Sequence, residues 1–325
     1  MWKTRICELL GIEYPILQGG MTMSGNPELA AAVSNSGALG MLGANSGYVP
    51  VDQREQNLRN CIRKARSLTD KPFGVNITIF EMEALAGRLI EAALEEGVKV
   101  FACSGGSPSL FTREIKDGGA TAIHVGGNVK QAKKAEAAGV DIVVAEGYEA
   151  GGVNSPDELT TFVLVPYVAD AVKIPVVAAG GIADARGFVA ALALGAEGVQ
   201  MGSCFVATEE CHVHKNYKEA ILAAKDTDTI VTRRVLGLRM RSLKNEFTNR
   251  LAEMDQRGAA EEVKIFVGTG GTRRGQLLGD TVNGDMGIGQ VAGMIRKIIP
   301  AAEVLRRIFG DADTVLKRCL EIERQ

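Results

Sequence analysis

Eight short apolar runs recur along this chain, about 20 to 35 residues apart, each followed by a stretch with helical periodicity. They fall at residues 14–18, 38–42, 72–79, 98–103, 120–125, 140–146, 174–179 and 198–202. Most are rich in Val, Ile or Leu and lack period-two alternation, as expected of parallel strands buried on both faces. Between them, residues 27–35, 52–67, 81–96, 108–117, 129–138, 157–172 and 184–193 place apolar side chains at i, i+3 and i+4. Several of these stretches close on a glycine (Gly37, Gly97, Gly139, Gly195) suited to a left-handed helix stop. An open doubly wound sheet shows the same alternation with fewer units, so eight units favour an α/β (β/α)8 TIM barrel.

After the eighth run the pattern changes. Residues 208–285 are charged and read as a mostly helical insertion after strand eight, a lid or substrate segment. Residues 1–207 then form the barrel domain, completed by 286–325, with the last barrel helix expected at 287–299 and a tail helix from 301. Within the insertion, residues 233–241 and Lys244 cluster positive charge. That cluster either grips the phosphates of coenzyme A, acyl carrier protein or a pyridine nucleotide, or is a solvated helix face balanced by Glu246, Glu253 and Asp255. Residues 268–274 look like a phosphate loop but lack its Gly-Lys-Ser/Thr ending and a preceding βαβ unit, which leaves a flexible lid loop.

Charge and cysteine usage exclude several classes of function. With 37 basic against 39 acidic residues, the net charge of −2 offers no field for a nucleic-acid backbone. No apolar run approaches the roughly 18 residues of a membrane span, and the N-terminus lacks the apolar core of a signal peptide. Six cysteines without paired spacing read as reduced thiols in a cytoplasm, with neither a disulfide framework nor a zinc site. His212 and His214 have no third ligand at metal-site spacing, so no metal is expected.

In barrels, chemistry sits at the carboxyl ends of the strands. Here those ends read Gln18-Gly19-Gly20-Met21, Gly74-Val75-Asn76, Cys103-Ser104-Gly105-Gly106, His124-Val125-Gly126-Gly127 and Glu146 through Gly152. The last two are Ala179-Gly180-Gly181 and Gly202-Ser203. Barrels commonly hold a phosphate on loop amides after strands seven and eight, so Gly180, Gly181, Gly202 and Ser203 together point to a phosphorylated cofactor.

The motifs KTRICELLGIEYPILQGGM, LTDKPFGVNI, AEGYEAGG, IPVVAAGGIAD, GAEGVQMGSCFVATEE, HKNYKEAIL and GQVAGMI occur in order along the chain. In them the sequence resembles the nitronate monooxygenase (2-nitropropane dioxygenase) family, and within it the FMN-dependent enoyl-acyl carrier protein reductases. The resemblance implies a non-covalent FMN. Gly20, Met21 and Asn76 would contact its ring, and Gly180, Gly181, Gly202 and Ser203 its phosphate. Glu146 would face the flavin side of the barrel mouth, with Gln290 of the Gly-Gln pair abutting the flavin. It also implies NADH or NADPH as co-substrate, a small-molecule or acyl-thioester substrate, and a homodimer.

One departure from the family pattern is informative. Members with either activity carry a histidine directly after the Gly-Gly of the strand-six loop, where this chain has Val153 followed by Asn154. Valine neither takes nor gives a proton, whereas nitronate oxidation calls for a base and enoyl reduction for a polariser of the developing enolate. His124, Asn154 and Tyr148 are the substitutes expected to act in its place, with Cys103 as a further donor. His214 matches a family position, expected near the flavin phosphate or an interface. Three functions follow: reduction of an activated C=C bond, nitronate oxidation, or flavin binding with altered or lost catalysis.

Overall fold

A computed structural model describes residues 2–79 and 83–322. The eight apolar runs contain eight parallel strands: β1 (Ile16–Gln18), β2 (Gly40–Gly43), β3 (Phe73–Thr78), β4 (Val100–Ser104), β5 (Thr121–Gly126), β6 (Ile142–Glu146), β8 (Val176–Ala179) and β9 (Gly198–Met201). A short strand, β7 (Gly152–Asn154), intervenes and lies outside the barrel. The order β1-β9-β8-β6-β5-β4-β3-β2 closes on itself through a parallel bridge between Leu17 and Leu39. The fold is a (β/α)8 barrel.

Closure at that seam is assisted by a side chain. Gln18 is fully buried, and its Nε2 donates to the Met41 carbonyl at 2.8 Å while its Oε1 accepts from Met41 N at 3.2 Å. The amide thus supplies two bonds where the β1–β2 ladder is shortest. Apolar side chains such as Leu17, Met41, Ile123, Val144 and Val177 fill the barrel interior. Their neighbours of opposite parity, such as Val143 and Ala145, pack with Leu164 and Val168 in the helix layer.

Residues 287–299 do not form the last barrel helix. They run extended apart from a 3-10 turn at Gln290–Met294. The helix Ala301–Leu320 takes that place, with Phe309 stacked on Tyr14 at 4.0 Å and edge-on to Phe188 at 5.4 Å. Three glycines and a solvent-facing Gln290 leave the earlier segment no continuous apolar stripe, whereas 301–320 has one.

The insertion is mostly helical, as expected, but also carries two strands. It opens with the helix Lys215–Ala223 and then two strands, β10 (Thr229–Thr232) and β11 (Arg239–Leu243). These pair antiparallel with each other, and β11 pairs antiparallel with β7, placing Met240 opposite both Thr232 and Val153. Residues 268–275 are not a loose loop: Gly268 ends the helix Ala260–Gly268, and Gly271–Gln276 forms another. Phe247, Leu251 and Val263 make a small core here, with Phe247 stacked on Phe266 at 4.6 Å. Among the described residues, no helix is long and apolar enough to cross a membrane.

Candidate active site

A cavity of about 590 Å³ opens at the carboxyl end of the barrel, beneath the insertion. Its floor is formed by strand ends: Gly19 and Gly20 after β1, Asn76 on β3, Glu146 on β6, Gly180 and Gly181 after β8, and Gly202 and Ser203 after β9. Val153, Leu236, Leu238, Met240 and Val267 give its upper wall an apolar character. Eight of the nine sequence-proposed cofactor positions therefore meet in one space. Gln290 does not join them: its side chain is exposed, its backbone N–H donates to the Glu149 carbonyl at 3.0 Å, and its neighbours Gly289 and Val291 reach the cavity.

The glycines on the floor are there for close approach. A Cβ on Gly20 would fall 2.1 Å from the Asn76 side chain, and one on Gly180 would fall 2.6 Å from the Gly147 carbonyl. Gly180 and Gly181 adopt φ of +88° and +72°, which side chains rarely tolerate. Ser203 Oγ accepts from Gly289 N at 3.0 Å, which leaves its hydroxyl proton available toward the cavity. The Glu146 carboxyl makes no hydrogen bond among the described residues, and loss of solvation pushes it up from 4.5 to about 7.

The three proposed catalytic substitutes lie outside this space. His124 is buried on β5, but Ile123 and Val125 take the interior positions, so strand parity turns the imidazole to the helix side. There it bonds the Gly106 backbone, and burial lowers its pKa to about 4. Asn154 follows Val153 on β7 and so faces away; its amide donates to the Ala150 and Gly152 carbonyls at 2.9 and 3.1 Å, bracing the loop. Tyr148 accepts from Arg234 Nη2 at 2.7 Å, and Arg241 stacks over its ring at 4.9 Å. Cys103 is buried on β4, where loss of solvation pushes its thiol up to about 12.

The Arg cluster has partners other than those expected. Arg234 and Arg239 pair with Glu158, Arg241 donates to the Tyr148 carbonyl at 2.9 Å, and Arg233 pairs with the buried Asp285. Among the expected partners, Asp255 accepts from the Val235 backbone at 3.2 Å. His214 caps the helix Lys215–Ala223 by accepting from Asn216 N at 3.1 Å.

Several wall residues escaped the sequence reading. Glu149 accepts from Thr161 N at 2.9 Å, and Tyr217 donates from its hydroxyl to the Gly287 carbonyl at 2.6 Å. Thr272 and Gln276 come from the insertion. For Glu149 the available signal was its place in the Gly-rich strand-six loop, twelve residues before a helix start. The others come from distant segments that tertiary folding alone brings to the cavity.

A family description of nitronate monooxygenase matches residues 3–311, nearly the whole chain. The chain belongs to the nitronate monooxygenase family. A probable nitronate monooxygenase of Staphylococcus saprophyticus is 37% identical, the match covering 78% of this chain and 82% of that protein. The FabK structure from Thermotoga maritima superposes with a TM-score of 0.91 at 42% identity, covering 98% of this chain and 99% of that one. A nitroalkane oxidase from Streptomyces ansochromogenes gives 0.77 at 25% identity, covering 97% and 100%. Nitronate monooxygenase family membership makes the chain an oxidoreductase, and its cavity the place to look for the chemistry.

Proposed function

We propose that this chain is an FMN-dependent oxidoreductase that reduces an activated C=C bond, such as that of an enoyl thioester, with NADH or NADPH as electron source. The carrying observation is the division of the cavity between a glycine-lined polar floor and an apolar wall contributed by the insertion. Likeness to the FabK structure at 42% identity supports the choice of reaction. The residues present fit FMN. The cavity lies within the roughly 300–1,000 Å³ usual for cofactor sites, and side chains at Gly20 or Gly180 would fill the floor.

The amides after Gly180 and Gly202, with the Ser203 hydroxyl, would hold the phosphate, while Gly20, Met21 and Asn76 would border the ring. When bound, the flavin supplies hydride to the β-carbon of the substrate. Glu146, with a pKa near neutrality, holds the proton that the α-carbon requires. The apolar wall excludes water and accepts the acyl chain.

A second reading is oxidation of alkyl nitronates with O2, favoured by the naming of the Staphylococcus relative. Anaerobic mixing with NADH or NADPH, then crotonyl-CoA, separates the two. Bleaching of the flavin by nucleotide and recovery on crotonyl-CoA is expected. Turnover of propan-2-nitronate with O2 and no bleaching by either nucleotide would instead establish the second reading.

A further inference from the structure

We propose that Arg233 is the oxyanion-binding residue of this cavity, so that the substrate carries an oxygen conjugated to the reacting carbon that is, or becomes, negatively charged. The inference rests on the cavity being the oxidoreductase site, and deepens that reading by assigning the work left undone at Val153.

Arg233 lines the cavity, yet is only 8% exposed. A cation so buried is costly unless paired, and here pairing is partial. Nη2 donates to Asp285, whose other oxygen accepts from Ser242, but among the described residues Nε is buried with no partner and Nη1 donates to no group. Asp285 is itself fixed by its backbone N–H, which donates to the Gly271 carbonyl at 2.8 Å. One edge of the guanidinium is thus clamped while donors remain unused beside an open cavity.

The backbone points the same way. Arg233 has φ +70°, a left-handed conformation unusual for a residue with a side chain, at the end of β10. Such strain persists where surrounding contacts over-determine it, and the Asp285 clamp is one. Thr232 pairs with Met240, which pairs with Val153, so the three lie in a row across adjacent strands. At about 4.8 Å per strand, the turn at Arg233 starts about 10 Å from Val153, within reach of a long side chain. Arg233 and Val153 therefore border one space. Guanidinium does not titrate in the physiological range, so it stabilises negative charge without transferring a proton. That division of labour leaves the proton to Glu146.

The test uses redox-inert probes on the flavin-loaded protein: isobutyrate, whose carboxylate mimics the oxyanion, and neutral isobutyramide of the same shape. Binding is read from the shift in unfolding temperature and from perturbation of flavin absorbance. Isobutyrate should bind at least about tenfold tighter than the amide, and Arg233→Met should abolish that preference while Arg233→Lys keeps part of it. Because Arg233→Met strands a buried Asp285, the paired variant Arg233→Met with Asp285→Asn is measured alongside. Equal binding of the two probes by the wild type, or an unchanged preference in either methionine variant, would overturn the proposal. Failure of the wild type to take up flavin would instead sink the functional reading, and the thermal shift still decides the anion site.

Discussion

Glu149 and Thr161 tie the loop after β6 to the loop after β8. The carboxylate accepts from Thr161 N at 2.9 Å, and the Thr161 hydroxyl lies 3.0 Å from Glu149 Oε2 and 2.9 Å from the Gly180 carbonyl. Thr161 opens the helix Thr161–Ala169, whose first N–H groups have no partner within the helix. Glu149 therefore acts as a cap supplied from another loop, and fixes the glycines beneath the cavity as it does so.

Loss of that cap should be measurable. Glu149→Ala is expected to lower stability by about 0.5–2 kcal/mol, the usual worth of a helix N-terminal cap, with Glu149→Gln retaining most of it. Urea unfolding of the two variants beside the wild type checks this.

Gly20→Ala probes the floor. The added Cβ would lie 2.1 Å from Asn76, so the asparagine must leave its place at the cavity edge. FMN affinity should fall at least about tenfold at a stability cost of about 1–3 kcal/mol, the range for overpacking. Flavin fluorescence titration and urea unfolding read the two effects separately.

Glu146 gives a pH signature. Its folded-state pKa of about 7 lies above the ordinary 4.5, so the folded protein retains a proton that the unfolded chain has released. The stability this contributes is fully present below about pH 4.5 and is lost as pH rises through about 7. Flavin-free Glu146→Gln should therefore gain on the wild type as pH rises across that window, as measured by urea midpoints at several pH values. If the proposed reaction holds, the same group would hold the proton, and C=C reduction should decline above about pH 7 in the wild type.

Phe188 tests how the barrel closes. It is fully buried against Trp2 and Phe309, linking the N-terminus to the helix that replaced the expected eighth one. Phe188→Ala should cost about 3–5 kcal/mol in denaturant unfolding.

The barrel was legible because its strands are long in Val and Ile and repeat with helices between them. The cavity floor was legible for a related reason: Gly180, Gly181, Gly202 and Ser203 lie at the ends of strands that the periodicity locates. The catalytic substitutes were not, and parity explains two of them. His124 and Asn154 each stand one residue from a cavity-facing neighbour, Val125 and Val153, and a one-residue step moves a side chain to the other face of its strand. Residues 239–243, Arg-Met-Arg-Ser-Leu, read as helix in the sequence because charge dominates so short a run. Their alternation becomes meaningful only once β7, distant in sequence, pairs with them. Arg233 was noticed for its charge, but its buried partner Asp285 lies 52 residues away.

The proposed function requires a flavin mononucleotide in this cavity with its phosphate on the loops after β8 and β9. Titrating the flavin-stripped protein with FMN and with riboflavin, which lacks the phosphate, and following fluorescence quenching tests it directly. One FMN per chain should bind, with riboflavin at least about a hundredfold weaker, as expected for loss of charge-assisted hydrogen bonds to several amides. Equal affinity for both, or binding of neither, would contradict it.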